Sequence, residues 1–244
     1  MPHSDLADQA KSFLEKVKLF GNTAHGGRYV FSGSNGDQPA LRDFLASGSA
    51  ARTALSESFS DVFSMSPGDP SSLGISSADM KSWLDTGFPA LFDSDKWTSV
   101  WSASSGSPVE ARIGDREVAT IPAAVSDPAL RKVVMASVLM LEFGQGRLGS
   151  EAFAEVLRSA DAFLDEGIHG LIGFEASNGR LMSRLESAGE ASMLQKQIYS
   201  AEVSQMVEVD PAEVSLRIES LRVRLEASYA ATARLSRLSL VNYI

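Results

Sequence analysis

Cysteine is absent from this 244-residue chain. That excludes disulfides, thiolate metal sites and a cysteine nucleophile, and it leaves the compartment open. Cations are also scarce: 22 Lys and Arg stand against 31 Asp and Glu, for a net charge of −9. A nucleic-acid or anionic-membrane surface needs clustered positive charge, so neither partner is expected. Long hydrophobic runs are missing too. The longest apolar stretch, Val133–Phe143, is too short to span a bilayer. Nothing at the amino end has the basic-then-apolar layout of a secretory signal.

Chemistry-bearing clusters are equally sparse. His3, His25 and His169 are scattered without zinc-ligand spacing. "FSGSNG" lacks the spacing of a nucleophile elbow. "DSDKW" at Asp93–Trp97 lacks the glycine and distant glutamate of a calcium loop. "GQGRLG", Gly144–Gly149, matches G-x-G-x-x-G literally. A dinucleotide site needs a strand before that motif, whereas here a helical pattern precedes it, so the motif reads as a helix-to-helix turn. No catalytic residue, cofactor or metal site is assigned, and the chain is expected not to be an enzyme. A nucleotide-binding enzyme is the alternative from a different class.

What is present is helical periodicity at both ends. "SDLADQAKSFLEKVKLFG" carries Leu6, Ala10, Phe13, Val17 and Phe20 on one stripe, with Ser4 as the cap and Gly21 as the stop. "GGRYVFSGSNG" follows as a short strand or tight loop. From about Ser34 to Ser126, Ser, Gly, Asp and Pro are dense, and all three tryptophans fall here. Val109–Ile113 and Val118–Ile121, joined at Gly114-Asp115, read as a β-hairpin. Beyond it, Asp127-Pro128 and Asp210-Pro211 are helix starts, with Glu213 completing a capping box. Helices are expected at about 128–143, 150–165 and 169–207, with His169 near the start of the third. The last helix repeats Val214, Ile218, Leu221, Leu225, Tyr229, Thr232, Leu235, Leu238 and Val241 at steps of four and three, the spacing of a coiled-coil seam.

The expected fold is mainly α. An elongated helical bundle is formed by the terminal segments, with an inserted irregular α+β domain. The boundaries read as 1–36 for the first helix and hairpin, 37–105 for the insert and 106–244 for the remaining helices. The insert is expected to be removable without unfolding the bundle. An apolar carboxyl end needs a long intramolecular partner or another subunit, because most chains end in a short polar tail.

The carboxyl-terminal segment "LEASYAATARLSRLSLVNYI" resembles the closing helix of the flagellin family through Leu225, Ala227, Ser228, Tyr229, Ser239, Leu240, Asn242, Tyr243 and Ile244. "GRYVFSGSNGDQPAL" is similar to the hairpin segment of the hook–filament junction members of that family, through Tyr29, Phe31, Ser32 and Gly33. The resemblance covers roughly 1–36 and 105–244. It implies a structural flagellar subunit, exported without a cleaved signal peptide and assembled outside the cell, with filament flagellin as the near alternative. The implied assembly interface is Leu225, Tyr229, Leu235, Leu238, Leu240, Asn242, Tyr243 and Ile244. Implied partners are further copies, neighbouring axial proteins (hook-associated proteins and flagellin) and an export chaperone. Family members carry a long segment ahead of the first helix seen here, so the resemblance implies an amino-terminally shortened or divergent member.

Overall fold

A computed structural model describes residues 3–114, 117–122, 124–145, 147–207 and 210–241. Contacts divide the chain into two units, 1–186 and 187–244.

In the first unit, α1 spans His3–Gly21 and starts by His3, ahead of the expected cap at Ser4. It buries Ala7, Ala10 and Leu14, while Phe13 and Phe20 of the expected stripe stay exposed. The contact face is therefore rotated towards the small residues. Two alanines let α1 lie close against α6 (Pro128–Phe143), its main partner, and Leu14 then reaches the core. A two-residue hairpin follows, β1 (Ala24–His25) and β2 (Arg28–Tyr29). Its turn residues Gly26 and Gly27 have φ of 58° and 79°, the pattern of a tight primed turn that glycine adopts without strain. The side chain of Asn22 both donates to the Leu41 carbonyl at 2.9 Å and accepts from the Leu41 amide at 2.8 Å, pinning the end of α1 to the insert.

The insert is built from short helices. α2 (Ala50–Phe63) turns Ala51, Leu55 and Phe59 inward at steps of four. Ser76 caps α3 (Ser77–Asp85), which buries Met80, Trp83 and Leu84. α4 (Gly87–Ala90) brings in Phe88, and α5 (Ser94–Lys96) runs into a π-turn at Trp97–Trp101. A chain of ring contacts links these pieces. Trp83 meets Phe59 edge-on at 5.3 Å, Phe92 stacks on Trp101 at 4.3 Å, and Phe44 stacks on Trp101 at 5.4 Å. Each indole N–H has an acceptor: Ser58 Oγ for Trp83, the Val125 carbonyl for Trp97 and the Leu91 carbonyl for Trp101.

This aromatic core does not end at the insert. Phe59 and Trp83 also contact Phe143 of α6, and Phe88 contacts Phe163 of α7 (Ser150–Val207). One hydrophobic cluster joins Leu14, the insert aromatics, Val134–Phe143 and Val156. The insert is thus distinct in composition but shares its core with the helices around it.

β3 (Val109–Arg112) and β4 (Val118–Ile121) pair antiparallel, with Val109 opposite Ile121 and Arg112 opposite Val118. The expected turn residue Asp115 lies outside the described residues. Asp127 caps α6 by accepting from the Ala129 amide at 2.8 Å, with Pro128 in the first turn. Seven consecutive α6 residues, Val133–Leu139, are buried, which suits its nearly all-round apolar sequence. Gly144 and Gln145 turn the chain towards α7; Gly146 lies outside the described residues.

α7 runs unbroken from Ser150 to Val207, in place of the two helices expected with a break before His169. His169 sits mid-helix, with Nδ1 2.8 Å from the Asp165 carbonyl. Two glycines near the expected break, Gly167 and Gly170, serve packing. A Cβ on Gly167 would stand 2.5 Å from Val133 Cγ2, and one on Gly170 2.5 Å from Ala129 Cβ. The missing side chains let α7 cross the start of α6 closely. Lys132 adds an ion pair to Glu166 at 2.8 Å and lies over the Phe163 ring.

Lys18 and Asp43 form an ion pair at 2.6 Å between α1 and the loop before α2. The Lys18 hydrogen bond, helped by the Leu45 and Ala46 amides and opposed by partial burial, holds the Asp43 carboxyl below its ordinary value. A lowered carboxylate pKa contributes stability above the unfolded value, lost as pH falls through the folded one. Both side chains are more than a third exposed, so the contribution is modest. Asp43→Asn should therefore lower the urea midpoint slightly at neutral pH, and the gap should close in acid below about pH 4. A gap independent of pH would assign the loss to something other than the ion pair.

In the second unit, the end of α7 is followed by α8, Pro211–Val241. Asp210 caps α8 by accepting from the Ala212 amide at 2.8 Å. The architecture is mainly α, with an irregular α+β part between the terminal helices.

Candidate assembly surface

Position 189 onward marks a change in how the helices are used. Every residue from Gly189 to Val207 and from Pro211 to Arg237 is exposed. A helix in water normally hides its apolar stripe, because leaving a Leu or Ile side chain exposed forgoes about 1.5–3 kcal/mol. Here the stripe is open. Along α7 it presents Met193, Leu194, Ile198, Tyr199, Val203 and Met206. Along α8 it presents Val214, Ile218, Leu221, Leu225, Tyr229 and Leu235, the last three at 54%, 67% and 67% exposure. Leu216 and Val223 form a shorter stripe on the opposite side of α8.

The sequence-assigned interface falls on this helix. Leu225 and Leu235 lie on the open seam, and Tyr229 lies exposed at its edge. Leu238 and Leu240 are in the helical span of α8, though their side chains are not described. Asn242, Tyr243 and Ile244 lie outside the described residues. The α7 residues Met193–Met206 were not assigned from sequence. Their apolar spacing is visible there, but periodicity alone does not separate an open stripe from one buried in a core.

The other assigned group, Tyr29, Phe31 and Gly33, is in the first unit and builds a clasp. The Tyr29 amide donates to the Gly36 carbonyl at 2.8 Å, and Phe31 packs against the hydrophobic core. Between them and Gly33, buried Ser32 donates to the Gln38 carbonyl at 2.6 Å and its own carbonyl accepts from the Ser105 amide. Gly33 has φ of 64°, and a Cβ there would stand 2.8 Å from the Ser107 carbonyl oxygen. Gly33→Ala is expected to cost at least about 1–2 kcal/mol from the left-handed backbone alone. Urea unfolding followed by circular dichroism checks this, and an unchanged midpoint would refute the strain.

A groove of about 410 Å³ lies between α1, α6 and α7, lined by Leu6, Phe13, Met140, Leu157 and Leu164 with Gln9 and Asp161 among its polar residues. Among the described residues, no group of three His, Cys, Asp or Glu is placed to hold a metal ion. No described helix is long and apolar enough to cross a membrane.

Residues 162–244, the greater part of α7 and all of α8, match the family model of the bacterial flagellin C-terminal helical region. No curated protein and no solved structure matches the chain. The matched segment covers the whole of the exposed seam.

Proposed function

We propose that this protein is a structural subunit of the bacterial flagellum that self-assembles with other axial subunits through α7 and α8, outside the cell. The observation that carries the reading is the coincidence of two ranges. The segment matching the flagellin C-terminal helical region is also where large apolar side chains lie open along two long helices. Such a surface has no role in the first unit's core and suits burial between subunits.

Within that class we favour a junction subunit between hook and filament, of the hook-associated protein 3 type, over filament flagellin. The Tyr29, Phe31 and Gly33 hairpin segment motivates the choice, as does its place as a clasp at the end of α1. Partners are then further copies, other hook-associated proteins, flagellin and, during export, a chaperone. Export proceeds without a cleaved signal peptide. The three segments 1–36, 37–105 and 106–244 are proposed as inner helix and hairpin, outward-facing insert and inner helices. The function is structural and not enzymatic.

Labelling an epitope-tagged copy on intact flagella tests the reading. A short labelled zone at the hook tip, with filament subunits shed into the medium when the gene is lost, is the expected result. Label along the filament would assign a flagellin, and no flagellar label would refute both.

A further inference from the structure

The charges beside the α8 seam say what kind of helix covers it. Val214, Ile218, Leu221 and Leu225 follow steps of four, three and four, continued by Ser228, Thr232 and Leu235, so they occupy the a and d positions of a heptad. Residues at e and g flank such a seam and meet the partner's flanks. Between Val214 and Leu235, the charged residues at e and g are Arg217, Arg222 and Arg224, all exposed. The carboxylates Glu213, Glu219 and Glu226 fall at b and c, further round the helix. Arg222 pairs with Glu226 at 3.4 Å, but both side chains remain about two-thirds exposed, so this pair leaves the cation available.

Two copies of α8 joined along this seam would set arginine against arginine. In a parallel pair, Arg217 of one helix comes opposite Arg222 of the other. In an antiparallel pair, g faces g and e faces e, and the charged residues that can meet are again all arginines. In a chain of net charge −9, a seam whose flanking charges are all cations is a selective feature.

We propose that the α8 seam is built for a helix of different sequence, with an apolar a/d stripe and carboxylates at its e and g positions, and that it disfavours a second α8. This rests on the reading of α8 as an assembly surface and specifies the chemistry of its partner. The seam supplies the burial, and the three arginines select the acidic flank and reject the basic one.

The test uses the full chain and two synthetic helical peptides with the same Leu/Ile seam, one with Glu and one with Lys at e and g. Fluorescence anisotropy reads binding. The Glu peptide should bind at least about tenfold more tightly than the Lys peptide, since each flanking pair changes from attraction to repulsion. That preference should shrink at high ionic strength. The triple variant Arg217→Glu, Arg222→Glu, Arg224→Glu touches only exposed positions and should reverse the preference. Equal affinity for both peptides would overturn this proposal while leaving the assembly surface intact. Binding of neither peptide would overturn both. Sedimentation adds a second reading: the single variant Arg222→Glu sets a carboxylate opposite Arg217 in a parallel pair and should promote self-association beyond that of the parent chain. Self-association of the parent through α8 that weakens as salt rises would also refute the proposal, because arginine repulsion predicts the opposite trend.

Discussion

Trp83→Ala is expected to destabilise the first unit by about 3–5 kcal/mol, enough to unfold much of it at 37 °C. Trp83 is 2% exposed and touches Phe59, Phe63, Phe88 and Phe143, so its removal opens a cavity where the insert meets α6. The Ser58 hydroxyl also loses its indole donor. Because α6 and α7 share this cluster, the loss should appear in their hydrogen-exchange protection as well as in the insert. For the same reason, replacing 37–105 by a short flexible linker should collapse the protection of α6, against the expectation from composition that this segment can be removed cleanly. Unchanged exchange across 128–143 in either variant would show that the helices hold a core of their own.

The second large effect concerns association. Leu221→Asp with Leu225→Asp places two carboxylates on the seam, each exposed in the free chain at 58% and 54% for the parent residues. Two buried leucines forgone at about 1.5–3 kcal/mol each already weaken a subunit contact more than a hundredfold, before the desolvation of the carboxylates is counted. Incorporation into flagella, and hence motility, should be lost. The thermal midpoint of the first unit should not move, since neither residue belongs to its core. Normal flagella in cells carrying the double variant would remove α8 from the assembly surface. A fall in the midpoint would mean instead that the seam is part of the fold.

The local elements are determined by the sequence wherever a signal acts over a few residues. Asp127 and Asp210 cap the helices they precede, Gly26-Gly27 turns the first hairpin, and the alternation at Val109–Ile113 and Val118–Ile121 pairs as a hairpin. The seam of α8 is legible for the same reason: steps of four and three put its residues on one face whatever surrounds them. Three things required the tertiary structure, each because a distant residue decides. The sequence is read as two helices with a break before His169, whereas Gly167 and Gly170 let one continuous α7 pass close to Val133 and Ala129. The insert looks separate by composition until Phe143 and Phe163 close its aromatic core. And the rotation of α1 follows from the close approach of α6, which favours Ala7 and Ala10 over the larger Phe13 and Phe20. Periodicity states which face of a helix is apolar; only packing decides whether that face is core or is left open for another chain.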